Sequence, residues 1–176
     1  EEKDAAWRYT SGSGYVNRPL RGYDGAWGKF NFKGVGNVPL DNESPLAPKD
    51  IDSLTSLINK STYDKDIWLQ RGVDNDGLAG FLQLASLDKN SLNALVGQSI
   101  TDTAFMSCGA AKGTGFDGNI INIYCPKGTK ILYIDGRSAY ASENEMLIQR
   151  NTRFRITKVE KTDWRYFIDV EVVGQI

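Results

Sequence analysis

The sequence predicts an α+β fold with its helices first and its strands later. Two observations carry this. Apolar residues early in the chain recur at helical spacing, as in Ile51, Leu54, Leu57 and Ile58. Beyond residue 66 the apolar runs are short and alternating, most strictly over Thr152–Val159, where Phe154 and Ile156 share a face. Strands and helices do not alternate through the chain, which argues for segregated elements rather than βαβ units. A chain of 176 residues fits one domain. Its helical lobe would cover residues 1–65 and its β-rich core residues 66–176.

Residues 1–10 read as a short amphipathic helix carrying Ala5, Ala6, Trp7 and Tyr9. Ser11–Gly14 breaks it, and Tyr15–Arg21 resumes as a helix limited by Pro19. Residues 22–50 are rich in Gly and Pro and read as a long surface excursion. Asp50 is placed to cap a helix running to Asn59. Ile67–Arg71 is a short strand ending at Gly72. Residues 78–97 hold one or two helices, stopped by Gly97. Thr103–Ser107 is strand-like, and Ala110–Gly118 is a glycine-rich loop. Ile120–Tyr124 and Lys130–Ile134 are strands around a turn at Pro126–Gly128, and Glu145 opens another. Trp164–Val172 closes the chain as a long strand, joined to its predecessor by a turn near Lys161–Asp163.

Charge is nearly balanced, with 21 basic and 22 acidic residues and a net charge of −1. That argues against a nucleic-acid partner held by bulk electrostatics. No apolar run is long enough for a transmembrane helix. The chain opens Glu1-Glu2-Lys3-Asp4 and reads as an excised domain or mature fragment without its targeting segment. Cys108 and Cys125 are too few for a disulfide framework; two free thiols or one cross-strand pair both fit. Histidine is absent. That removes Ser-His and Cys-His nucleophiles and the usual histidine metal sites. Chemistry must rest on carboxylates, Arg, Ser, Tyr or backbone.

Three segments offer such groups. Ser142-Glu143-Asn144-Glu145 sets two carboxylates at i and i+2, on one face of an extended chain, ahead of Met146-Leu147-Ile148. A solvated strand edge is the plain alternative. Leu69-Gln70-Arg71-Gly72 places a guanidinium at a strand end, where it can fork onto a phosphate, beside a glycine that admits close approach. A surface strand arginine would look the same. Phe105-Met106-Ser107-Cys108-Gly109 puts a hydroxyl at a strand end, as many ordinary strands do.

In this order and spacing, the three segments resemble the arginine, serine and Glu-x-Glu elements of the bacterial mono-ADP-ribosyltransferase exotoxins. Gly97–Phe105 is similar to the approach to the family's serine strand. Tyr15-Val16-Asn17-Arg18-Pro19-Leu20-Arg21-Gly22 resembles its amino-terminal helix. The resemblance covers residues 7–172. It implies two perpendicular, mainly antiparallel β-sheets with the helices alongside, and NAD as co-substrate without a metal. It implies that Arg71 binds an NAD phosphate and that the Gly72 backbone holds the nicotinamide amide. Asn17 and Arg21 would reach phosphate or ribose, and Phe116 would stack on nicotinamide. Ser107 would hydrogen-bond Glu145, which would hold the ribose 2′-hydroxyl beside the cation. Glu143 and Tyr140 would read an acceptor arginine on a target protein. The implied function is ADP-ribose transfer to that arginine, with NAD-glycohydrolase as a side activity; a non-catalytic docking module of the same fold is the rival. A secreted or cell-delivered protein follows, with a delivery domain or an immunity protein as further partners. The chain departs from the pattern at Cys108-Gly109, where hydroxyls are usual, and at Asn119, where an arginine is common. Phosphate binding would then lean on Arg71, Arg21 and Lys112.

Overall fold

The computed structural model describes residues 1–11, 13–21, 29–32, 36–39, 46–84, 86–110, 118–134 and 145–175. Helices α1 (Glu2–Ser11), α2 (Gly14–Leu20) and α3 (Leu46–Asn59) come first, with a small hairpin, β1 (Lys29–Phe32) and β2 (Gly36–Pro39), between them. Next come β3 (Ile67–Val73), α4 (Asn75–Leu82), α5 (Lys89–Asn93), β4 (Ser99–Asp102) and β5 (Met106–Gly109). The chain ends in β6 (Asn119–Cys125), β7 (Ile131–Tyr133), β8 (Glu145–Ile148), β9 (Thr152–Thr162) and β10 (Arg165–Gln175). Helices first and strands later is the expected order. None of the described helices is long and apolar enough to cross a membrane.

Among the described residues, hydrogen bonding joins eight strands in the order β4-β9-β10-β6-β3-β5-β8-β7. Every neighbouring pair is antiparallel except β10 with β6. The expected two sheets are two units of this one ladder. Among the described residues, β4-β9-β10-β6-β3 and β5-β8-β7 are joined by a single residue pair, Gln70 opposite Gly109.

Alternation gives the three-stranded unit two working faces. Met106, Cys108, Met146, Ile148 and Ile131 join a core with Leu69, Ile121, Ile123, Phe154, Ile156, Ile168 and Val170 of the five-stranded unit. Leu147, Leu132, Ile134 and Phe105 pack instead against Ala5, Ala6, Tyr9, Tyr15, Val16, Leu54 and Ile58 of the helices. The order is therefore helices, three strands, five strands.

Several boundaries differ from the sequence reading, each for a physical reason. α3 begins at Leu46, so Asp50 is not its cap. Pro48 falls in the first turn, where its missing N–H takes nothing from the helix. Asp50 is buried and takes both Arg8 Nε (2.7 Å) and Nη2 (2.6 Å), with the Tyr15 hydroxyl at 2.6 Å. That one carboxylate ties α1, α2 and α3 together. β3 runs through Gly72 to Val73, because Gly72 and Val73 still pair with Ile120 and Asn119. Residues 103–105 lie between two strands instead of inside one. Asp102 Oδ1 accepts from the Ala104 N–H at 3.0 Å and turns the chain toward β5. α5 stops at Asn93, and Gly97 (φ +90°) serves the turn into β4. Both cysteines are free and buried.

Candidate active site

α2 ends and β3, α4 and β4 meet around a cleft of about 470 Å³. Its charged walls are Arg21, Arg71, Asp76 and Asp102, and Phe81 and Met106 supply apolar surface. Arg21 leaves the end of α2 and forks onto Asp102, Nη2 to Oδ2 at 3.1 Å and Nε to Oδ1 at 3.4 Å. Arg71 crosses from β3 and donates through Nη1 to the Ser107 carbonyl at 2.8 Å. Each guanidinium has N–H groups beyond those these bonds use, facing one cleft. Gly72 alternates with Arg71 and Val73 along β3 and is not among the residues lining the cleft.

Register places the serine and the glutamate. In the β5–β8 ladder Gly109 stands opposite Glu145 and Ser107 opposite Leu147. Residues opposite each other share a face, so Ser107, Gly109 and Glu145 all look to the helical side with Leu147. Cys108 looks the other way, and burial pushes its thiol up to about 12. The Ser107 hydroxyl engages the Tyr9 hydroxyl at 3.3 Å. Glu145 is a diagonal step away, partly buried.

Asn17, expected at phosphate or ribose, is tied to the protein's own groups here. It is buried, and its Nδ2 donates to the Tyr9 hydroxyl (3.0 Å) and the Phe105 carbonyl (3.2 Å). Its Oδ1 accepts the Phe105 N–H at 3.2 Å. α2 thus reaches the cleft through Arg21, while Asn17 clamps the lead-in to Ser107. Tyr9 is fully enclosed, and burial pushes its phenol up from its ordinary value. The Ser107 and Asn17 hydrogen bonds and the Arg71 charge oppose that shift, and the Glu145 charge adds to it. Tyr9 therefore senses both charged residues. Asn119, in place of an arginine, is buried and serves the fold: it donates to Asn75 Oδ1 and accepts the Tyr166 N–H, each at 2.9 Å.

Gly22, Lys112, Phe116, Tyr140 and Glu143 lie outside the described residues. The residues that sequence reasoning missed are Tyr9 and Asp102. On sequence alone Tyr9 reads only as apolar bulk on α1, and Asp102 only as part of the approach to a strand. Among the described residues no cluster of three or more His, Cys, Asp or Glu side chains could hold a metal ion.

Residues 1–173 match the model of a family described as ADP-ribosyltransferase exoenzyme. The chain belongs to that family, the bacterial mono-ADP-ribosyltransferase toxins. The exoenzyme is 22% identical over 181 residues to the epidermal cell differentiation inhibitor of Staphylococcus aureus, across 91% of this chain and 68% of that protein. It is 24% identical over 132 residues to the NAD(+)–arginine ADP-ribosyltransferase EFV of Enterococcus faecalis, across 75% of this chain but only 25% of that one. Its fold superposes on C3stau2 of S. aureus, solved with NAD, with a TM-score of 0.71. That match is 21% identical and covers 99% of this chain and 87% of the other.

Proposed function

We propose that this exoenzyme moves ADP-ribose from NAD to an arginine of a target protein, with NAD-glycohydrolase as its side activity. The observation that carries this is a convergence: Arg71 is pinned to the Ser107 backbone, and Glu145 shares a face with Ser107 one diagonal step away. Arg21 and Arg71 face one cleft from opposite elements, an arrangement suited to a diphosphate. NAD bound to C3stau2, a relative of the same fold, supports NAD as the ligand. The arginine-directed activity for which EFV is named supports arginine as the acceptor.

In this reading the bond between ribose C1′ and the nicotinamide nitrogen breaks, and its electron pair leaves with nicotinamide, which departs neutral. The oxocarbenium-like cation left behind resembles that of glycoside hydrolysis. Glu145 stabilises it increasingly as charge develops, which lowers the barrier, and holds the ribose 2′-hydroxyl. A guanidinium nitrogen of the acceptor attacks C1′ and gives up a proton to Glu143, while water in its place gives hydrolysis. Gly72 would receive the nicotinamide amide, Phe116 its ring and Tyr140 the target surface. Residues 1–176 would act as one catalytic domain, delivered from a bacterium into a target cell, with a delivery domain or an immunity protein as further partners.

Incubation with NAD and agmatine tests the reading by nicotinamide release and adduct mass. Glu145→Gln is expected to lower transfer and hydrolysis together by about 10²–10³. Glu143→Gln is expected to lose transfer and keep most of the hydrolysis; equal loss of both defeats the division of labour. A wild-type protein that releases no nicotinamide would instead be a docking module.

A further inference from the structure

The hydroxyl of Ser107 is held from the helical layer, and its partners fix where each proton points. The Phe105 carbonyl can only accept, so Tyr9 donates to it at 3.4 Å. Asn17 Nδ2 can only donate, so Tyr9 accepts from it at 3.0 Å. Tyr9 has one proton, so across their 3.3 Å contact Ser107 is the donor. That leaves Ser107 no proton for Glu145. The Phe105 carbonyl, however, does not depend on Tyr9, because Asn17 Nδ2 also reaches it at 3.2 Å. The Tyr9 proton can swing to Ser107 without stranding that carbonyl, and the Ser107 proton is then free for Glu145. Of the neighbouring strand positions, Cys108 faces the opposite core, and Gly109, directly across from Glu145, has no side chain.

We propose that Tyr9 is a positioning residue for Glu145 and acts through Ser107. With NAD bound, the Tyr9 hydroxyl turns from Phe105 to Ser107, and Ser107 donates to the carboxylate. The proposal rests on the reading of Glu145 as the group beside the cation. Without the Tyr9 hydroxyl, Ser107 is free among its rotamers and its hydroxyl is no longer aimed at the carboxylate. The loss falls on the chemical step and spares NAD affinity, since the hydrogen bonds that hold Arg21 and Arg71 run to Asp102 and to the Ser107 carbonyl and not to the Tyr9 hydroxyl.

The test is a double-mutant cycle of Tyr9→Phe and Ser107→Ala in steady-state nicotinamide release. Tyr9→Phe is expected to lower kcat about tenfold, within the range of coupled contacts, and to leave KM for NAD within about twofold. In the Ser107→Ala background it is expected to have no further effect. Losses that multiply in the double variant, or a change confined to KM, overturn the proposal. A second measurement needs no variant at Tyr9. Tyrosine labelled with ¹³C at Cζ reports the hydroxyl in wild-type protein titrated with a non-cleavable carbocyclic NAD analogue. The Tyr9 signal is expected to shift in wild type and stay still in Ser107→Ala; a signal indifferent to the bound analogue in wild type overturns the proposal. Wild-type protein that binds the analogue but cleaves no NAD defeats the underlying transferase reading, a result distinct from a failed cycle.

Discussion

Against the helices, the three-stranded unit packs Leu132, Ile134 and Leu147 among Tyr9 and Tyr15, with Asn17 and Asp50 buried nearby. Against the five-stranded unit it packs Met106, Cys108, Met146 and Ile148 among Ile, Leu, Val and Phe side chains. The first contact is held by directed bonds, Asn17 with Phe105 and Ser107 with Tyr9, from a helical layer that Arg8 and Tyr15 pin together on Asp50. The second is held by apolar area. Directed bonds fix one geometry and fail when one atom changes, whereas apolar contact tolerates small changes of shape. The serine sits on the directed side, where position matters, and the thiol one residue later sits on the tolerant side.

Shape-conserving substitutions should separate the two sides most. Asp50→Asn keeps volume but takes one oxygen from a buried carboxylate shared by Arg8 and Tyr15. It is expected to cost about 3 kcal/mol in urea unfolding. Ile168→Val, in the sheet-side core, is expected to cost about 1 kcal/mol. Equal costs would erase the distinction.

Alkaline pH should weaken both sides through different groups. Burial raises the phenols of Tyr9 and Tyr15 on one side and the thiols of Cys108 and Cys125 on the other. A raised folded pKa favours the protonated form, so this stability is complete below the unfolded pKa. It is lost as pH climbs from the ordinary thiol value of 9.0 toward the folded value of about 12. Unfolding free energy measured from pH 8 to 11 is expected to fall, and Cys108→Ala to make the fall shallower. A flat profile would show that these groups titrate alike in both states. The smallest effect belongs outside both cores: Trp164, 65% exposed beside the β9–β10 turn, should change stability by no more than about 0.5 kcal/mol when replaced by Ala.

The same division explains what could be read from the sequence. The paired strands β9 and β10 were legible because alternation reports burial one strand at a time. Arg71, Ser107 and Glu145 were legible because each belongs to a short local motif. Tyr9 and Asp102 were not, because their meaning lies in partners 98 and 81 residues away in the chain. Asp50 misled for a related reason. An acid ahead of an apolar helical pattern looks like a cap, and only the tertiary structure supplies Arg8 and Tyr15. The Ser107 contact to Tyr9 was not legible either, since nothing local distinguishes a tyrosine hydroxyl from a carboxylate as a serine's acceptor.

The one rung between Gln70 and Gly109 has a mechanical meaning. Arg71 follows Gln70 in one half of the ladder, and Glu145 stands across from Gly109 in the other. The cation and the carboxylate are therefore mounted on separate plates on either side of that rung. The Arg71 bond to the Ser107 carbonyl is a second tie across the same line, so the cation's own side chain helps hold the two plates in register.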